Sequence, residues 1–87
     1  MTNNERVLEI ITKIKSGETI RVDDYGCKNP AIMRFWYENG MFYTSFQDWK
    51  TDYEDAQDIE ISQKRLVSEL EMIINIPSRY RIFKRLD

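Results

Sequence analysis

Negatively charged side chains are concentrated in one stretch of this chain. Between Gln47 and Glu60 there are six carboxylates and a single lysine, Lys50. The carboxylates belong to Asp48, Asp52, Glu54, Asp55, Asp58 and Glu60. Trp49 and Tyr53 lie among them, and Trp and Tyr are enriched in the hot spots of protein interfaces. Because a row of carboxylates can take the place of a row of phosphates, this acidic segment (residues 48–60) predicts binding to a basic groove on a partner.

The acidic residues allow other interpretations. The acidic segment can instead be a solubilising face, with Trp49 and Tyr53 in the core, and this alternative stays open. A calcium loop starting at Asp48 requires an oxygen ligand at its third position, a glycine at its sixth and a glutamate at its twelfth, but the chain has Lys50, Tyr53 and Ile59 there. The pair Asp23-Asp24 is typical of a turn. We therefore expect neither a metal nor a cofactor.

A second charged stretch lies near the end of the sequence. Tyr80 and Phe83 alternate there with four basic residues, a combination that suits a phosphate backbone with stacked bases. The four are Arg79, Arg81, Lys84 and Arg85. This basic segment (residues 79–85) predicts nucleic-acid binding as an alternative function, although a formal net charge of −2 gives no overall attraction to nucleic acid. It can equally bind the acidic segment of the same molecule.

The composition argues against an enzyme. The 87 residues include no histidine and one cysteine, Cys27, which removes His-based catalysis, histidine-ligated zinc and intramolecular disulfides. Cys27 lies between Gly26 and Lys28 without a visible base, so we interpret it as a small residue of a loop or strand edge. No secretion signal or membrane-spanning stretch is evident, which predicts a cytoplasmic protein without membrane contact.

Hydrophobic periodicity predicts the elements that position these residues. A helical spacing of apolar residues runs from Asn3 or Asn4 to Ser16, and a second runs from Ser62 to Pro77. Alternation predicts strands from Glu18 to Asp23, from Ala31 to Tyr37 and from Met41 to Phe46, with a hairpin turn at Asn39-Gly40. Residues 47–61 fit either a helix or, at their end, a strand. The residues after Pro77 fit a helical turn, an edge strand or a tail.

These elements predict an α+β fold. We expect a small three-stranded antiparallel sheet with an N-terminal and a C-terminal helix packed on one face, in the order α-β-β-β-α. A chain of this length buries only about 60% of the surface that its unfolded form exposes, so a single domain over residues 1–87 is predicted.

Part of the sequence resembles a known family. Residues 42–55, Phe-Tyr-Thr-Ser-Phe-Gln-Asp-Trp-Lys-Thr-Asp-Tyr-Glu-Asp, follow the Asn39-Gly40 turn and resemble the hairpin and acidic stretch of small phage-encoded anti-CRISPR proteins that inhibit type II CRISPR nucleases. The resemblance implies a helix, an antiparallel sheet and further helices, with acidic residues occupying the groove where the nuclease reads its target-adjacent DNA motif. It also implies that Tyr53, Glu54 and Asp55 touch that groove.

Three functions of different classes follow. The favoured one is a phage or mobile-element interaction protein that presents its acidic surface to a host enzyme such as a CRISPR nuclease, in the host cytoplasm. Its partner-binding residues are predicted to be Asp48, Trp49, Asp52, Tyr53, Glu54, Asp55 and Asp58. The second is a nucleic-acid-binding accessory protein that uses the basic segment. The third is a self-associating module, a homodimer formed through an open sheet face that bears Trp36, Phe42 and Phe46.

Overall fold

The described part of the chain forms two helices and an antiparallel sheet. A computed structural model describes residues 3–26, 31–47 and 57–83. In chain order the elements are α1 (Asn3–Lys15), β1 (Ile20–Asp24), β2 (Ala31–Glu38), β3 (Met41–Gln47), β4 (Asp58–Ile61), α2 (Gln63–Asn75) and β5 (Tyr80–Phe83). The α+β class predicted from the sequence is confirmed.

Both helices form where the apolar spacing predicts them. Gly17, with φ of 109°, follows α1 in the left-handed region that favours glycine. Ser62 caps α2, because its side-chain oxygen accepts a hydrogen bond of 3.1 Å from the backbone N–H of Arg65. Leu8 is an exception to the predicted apolar stripe of α1, since it is exposed to solvent.

The sheet has more strands than the sequence predicts. Its order is β4-β3-β2-β1-β5, and every neighbouring pair is antiparallel. The prediction of three strands in the order α-β-β-β-α is therefore wrong. Residues 58–61 form the strand β4 at one edge, and residues 80–83 return to pair with β1 at the other edge. The second helix is followed by a strand and is not the last element.

The hydrophobic core lies between the helices and one face of the sheet. Because side chains alternate along a strand, Ile20, Val22, Phe35 and Phe42 point to the same side, where they meet buried residues of both helices. The helical residues are Val7, Ile10, Ile11 and Ile14 from α1 and Leu66, Leu70, Ile73 and Ile74 from α2. We call this side of the sheet the helix face and the opposite side the open face.

The predicted hairpin turn joins β2 to β3. Asn39 and Gly40 have φ values of 53° and 81°, both in the left-handed region that a two-residue hairpin of this type requires. We expect Gly40→Ala to cost about 1 kcal/mol of folding free energy, because a Cβ strains this backbone conformation. Thermal denaturation measures the loss. Gly40→Asn should retain most of the stability, since asparagine tolerates positive φ, and equal losses for the two variants would contradict the explanation.

Candidate interaction surface

Aromatic and charged side chains from neighbouring strands lie close together on the open face. Neither helix packs against this face in the parts of the chain that the structure describes. Alternation along the strands places aromatic, basic and acidic side chains on it within a few residues of one another. The central ones are Arg21, Arg34, Trp36, Tyr43, Asp58 and Glu60.

Two aromatic rings stack near the middle of the open face. Trp36 of β2 and Tyr43 of β3 are directly opposed in the sheet, with ring centroids 5.8 Å apart and an angle of 17° between the ring planes. Both side chains are partly exposed. Cross-strand aromatic pairs stabilise a sheet, and rings that also remain accessible offer a rigid contact area to a partner.

The β4 edge adds negative charge beside this stack. Glu60 lies opposite Tyr43, and Asp58 lies opposite Ser45, so both carboxylates stand on the open face. Both residues are exposed. The row from Glu60 through Tyr43 to Trp36 therefore runs from a charged edge to an aromatic centre.

A parallel row ends in positive charge. Ser45 pairs with Arg34, and Arg34 pairs with Arg21 of β1, so two arginines are directly opposed in neighbouring strands. Arg34 Nη1 donates to Gln47 Oε1 at 3.3 Å, and Arg21 Nε donates to Asp23 Oδ1 at 2.8 Å. The open face thus carries carboxylates at the β4 edge, Arg34 on β2 and the Arg21–Asp23 ion pair on β1.

Arg21 and Arg34 were not among the residues predicted to form a site. Arg34 and Trp36 are two residues apart in a predicted strand, as are Arg21 and Asp23, so the alternation already places each pair on one side. That signal was present in the sequence. The neighbourhood of Arg21 and Arg34 depends on the pairing of β1 with β2, which the alternation does not provide.

The predicted partner-binding residues fall mostly outside the described part of the chain. Asp58 is the member that the structure describes, and it lies on the exposed β4 edge with Glu60. The other six predicted residues lie outside the described ranges. They are Asp48, Trp49, Asp52, Tyr53, Glu54 and Asp55.

The basic segment divides between two environments. Arg79 binds Asp24, with Nε 2.9 Å from Oδ1 and Nη2 3.2 Å from Oδ2. Arg81 is exposed on β5, opposite Asp23 on the open face. Lys84 and Arg85 lie outside the described residues.

Asp24 is buried on the helix face at the end of β1. The side-chain hydrogen bonds from Arg79 lower the pKa of the Asp24 carboxyl, the hydrogen bond from the Gly26 backbone N–H lowers it further, and burial opposes both. Gly26 is closely packed, because a Cβ at this position would overlap the Arg79 guanidinium. Asp23 points to the other side of the sheet, so the two adjacent aspartates do not form a pair.

The acidic β4 edge and the basic β5 strand are far apart. They form opposite edges of the sheet, with three strands between them. Four interstrand steps amount to about 19 Å. Arg79 and Arg81 therefore lie at the edge opposite Asp58 and Glu60, where Arg79 binds Asp24 instead.

The apolar set predicted for self-association does not share a face. Trp36 lies on the open face, whereas Phe42 and Phe46 point to the helix face. Phe42 is buried in the core, and Phe46 is exposed. The grouping of Trp36 with Phe42 and Phe46 is therefore wrong, because neighbouring positions of paired strands were assigned to one side.

Within residues 3–26, 31–47 and 57–83, no three carboxylate or thiol groups come together as metal ligands. Cys27 lies outside these ranges. Neither helix in them has both the length and the apolar composition needed to cross a lipid bilayer. Comparisons of the chain with models of protein families, with curated proteins and with solved structures found no match.

Proposed function

We propose that this protein is an interaction protein that binds a protein partner through the open face of its sheet. The β4 edge of that face would lie against a basic, nucleic-acid-binding surface of the partner. The most concrete form of the proposal is a phage or mobile-element inhibitor of a host nuclease, with a type II CRISPR nuclease as the first partner to test. The acidic residues 48–55 precede β4 in the sequence, and we include them in the proposed contact with the partner.

The observation that carries the proposal is the position of Asp58 and Glu60 beside the Trp36–Tyr43 stack. Interface hot spots combine accessible aromatic residues and arginines, and charged residues around them steer the partner and fix its orientation. On the open face, exposed carboxylates lie on β4 beside the stack, and Arg34 lies two residues from Trp36 along β2. The face therefore offers a partner two stacked aromatic rings and a charge that is negative at β4 and positive at Arg34.

The distribution of charge supports a basic surface as the partner of this edge. Arg79 forms an ion pair with Asp24, and Arg81 lies on β5, the edge of the sheet opposite β4. Asp58 and Glu60 are exposed and so can meet an external cation. Charges of this kind contribute to association rate and specificity, and their contribution falls as salt screens them.

The test is a binding measurement with a purified type II CRISPR nuclease loaded with guide RNA. Neutralising the edge with Asp58→Asn and Glu60→Gln should weaken binding several-fold and reduce its salt dependence. Trp36→Ala should weaken binding by about 30-fold, the effect of losing a central aromatic anchor worth about 2 kcal/mol. The matched control is Glu69→Gln with Glu71→Gln, which removes the same charge from α2 on the other side of the sheet.

Circular dichroism of each variant confirms that the fold is intact. Unchanged affinity in the Asp58/Glu60 variant, or an equal loss in the Glu69/Glu71 control, would reject the β4 edge as the contact surface. Neutralising Asp52, Glu54 and Asp55 together tests in the same assay whether the preceding acidic residues take part. No binding to the loaded nuclease would remove that enzyme class as the partner.

Nucleic-acid binding is a second candidate, and one observation favours it. Arg34 and Arg21 lie next to each other and beside the Trp36–Tyr43 stack, the combination that holds single-stranded nucleic acid by charge and base stacking. A fluorescence-polarisation titration with labelled oligothymidylate at low salt separates the two functions. Binding that disappears in Arg34→Ala would favour the second candidate, and no binding would leave the protein partner as the function.

A further inference from the structure

The outer flank of β5 forms a groove that the proposed function does not use. A cavity of about 630 Å³ lies between β5, the end of α2 and the start of α1. A second cavity of about 200 Å³ lies between α1 and the β1–β5 side of the sheet. The two share Arg6 and Ile82 in their walls, so they line the same edge of the sheet.

The walls of this groove are apolar with a basic rim. Ile73, Ile74, Pro77 and Ile82 contribute apolar surface to the larger cavity. Arg6 and Arg81 are exposed and add positive charge at its mouth. In the smaller cavity Lys13 is offset by Glu9, whose carboxylate lies 3.3 Å from the lysine nitrogen. The charge around the groove is therefore positive.

The backbone of β5 faces the groove with hydrogen-bonding groups. The Tyr25 N–H donates to the Arg79 carbonyl at 2.7 Å, so this carbonyl points toward the β1 side, whereas the Arg79 N–H donates to the Ile76 carbonyl at 3.0 Å. Antiparallel pairing alternates, so Arg81 also directs its backbone groups toward β1, where it pairs with Asp23. The N–H and C=O of Ile82 then point away from β1. On that side β5 is the outermost strand among the residues that the structure describes.

We infer that β5 binds an extended peptide of a partner protein by strand addition. The peptide backbone pairs with the N–H and C=O of Ile82, which main-chain recognition of this type requires. Its alternate side chains point to the helix face and enter the apolar cavities. The side chains between them point to the open face beside Arg81 and are acidic. The peptide that fits this edge is therefore extended and alternates apolar and acidic residues.

A second copy of this chain is a weaker occupant. The β4 edge, Asp58-Ile59-Glu60-Ile61, has the same alternation, so two copies could in principle join β4 to β5. Both edge strands contain only four residues, and such an edge-to-edge contact is too small to reach the roughly 1,000 Å² that a stable interface needs. A peptide that also fills the cavities buries additional apolar surface.

The experiment is an NMR titration of the full chain with a short synthetic peptide of alternating valine and glutamate. We expect chemical-shift changes centred on Ile82, Arg6 and Ile73, and slower hydrogen exchange of the Ile82 N–H. A peptide with lysine in place of glutamate should bind about tenfold more weakly, because it places like charges beside Arg81. A peptide N-methylated on alternate residues, which lacks the pairing donors, should lose binding.

The matched variants separate this surface from the rest of the protein. Arg81→Glu should weaken binding of the glutamate peptide about tenfold or more, through the same charge repulsion. Lys64→Glu makes the same change in net charge at the start of α2 and should leave binding unchanged. Melting curves identify any variant that fails to fold. In that case the inference is tested by comparing the binding of the glutamate and lysine peptides to the unsubstituted protein.

Several results would overturn the inference. These are no binding of the glutamate peptide, equal binding of the lysine or N-methylated peptide, and shift changes confined to the open face. Slower exchange at Ile82 that appears without peptide as the protein concentration rises would assign the edge to a second copy. Since the groove and the open face are probed by different ligands and variants, failure here leaves the test with the nuclease unaffected.

Discussion

Phe35→Ala is expected to destabilise the protein by about 3–5 kcal/mol, the cost of removing a large aromatic side chain from a packed core. Phe35 is fully buried, at 0% exposure, in the central strand β2 beneath both helices. Domains of this kind have only about 5–15 kcal/mol of stability in total, and small ones lie at the low end. A large share of the molecules should therefore unfold under mild conditions. Urea denaturation followed by circular dichroism measures the change.

Phe46→Ala is the matched control for this prediction. Phe46 lies on the same helix face, but it is 51% exposed, so the same substitution removes far less buried surface. We expect a loss of less than about 1 kcal/mol, in proportion to the smaller apolar area buried. Similar losses for Phe35→Ala and Phe46→Ala would mean that the core is not centred between the helices and β2.

Asp24→Asn is expected to cost about 1–3 kcal/mol at neutral pH, the penalty for breaking charged hydrogen bonds at a buried group. Asp24 accepts hydrogen bonds from Arg79 and from the Gly26 N–H, and these bonds tie β5 and the residues before it to the end of β1. The asparagine side chain keeps one acceptor oxygen but loses the charge that attracts Arg79. Urea denaturation at neutral pH gives the difference in free energy of unfolding.

The same substitution should change the pH dependence of stability. The pKa of Asp24 is lower in the folded protein than in the unfolded chain, so its contribution is fully present above the unfolded value of about 3.9. That contribution is lost as the pH falls through the folded pKa, because the folded state then takes up the proton. Unfolding free energies measured from neutral to acid pH should show wild type and Asp24→Asn converging. A constant difference across this range would contradict the assignment.

Gly26→Ala tests the packing of this ion pair. A methyl group at residue 26 overlaps the Arg79 guanidinium, so the arginine must move away from Asp24. In an Arg79→Ala background that obstacle is gone, and we expect the Gly26→Ala penalty to shrink. Double-mutant cycles from urea denaturation measure the coupling. If the two substitutions lower the free energy of unfolding additively, the Arg79 side chain is not the reason for glycine at residue 26.

The parts of the fold that local pattern determines were predicted from the sequence. The helical spacing of apolar residues that ends at Ile14 and at Ile74 predicted both helices, and Asn39-Gly40 predicted the hairpin turn. These predictions succeeded because each depends on residues that are close together in the sequence. β4 was predicted only as one of two alternatives. Its four residues alternate, but the preceding residues have helical spacing, and a short segment offers little to decide between the two.

The rest of the fold depends on pairing between distant residues. An edge strand was one of three alternatives predicted for the residues after Pro77, and β5 is that strand. Its conformation comes from pairing with β1, more than fifty positions earlier. The hydrogen bonds between Arg79 and Asp24 span 55 positions, so Arg79 was grouped with a basic segment although its partner is near the start of the chain. Likewise, the alternation of β2 predicts that Arg34 and Trp36 lie on the same side of the sheet. The residues beside them on β1 and β3 are known only from the register of the strands.

The pairing of β5 with β1 also sets the order in which the protein can be completed during synthesis. β1 is translated early, and its outer edge remains without a neighbour until Tyr80–Phe83 emerges from the ribosome. The nascent chain can form the β2–β3 hairpin and the N-terminal helix well before then. Its first strand stays open to wrong pairing until then, and unpaired strand edges are a recognised source of aggregation in β-containing proteins. Closure of the sheet at this edge consequently waits for the synthesis of β5.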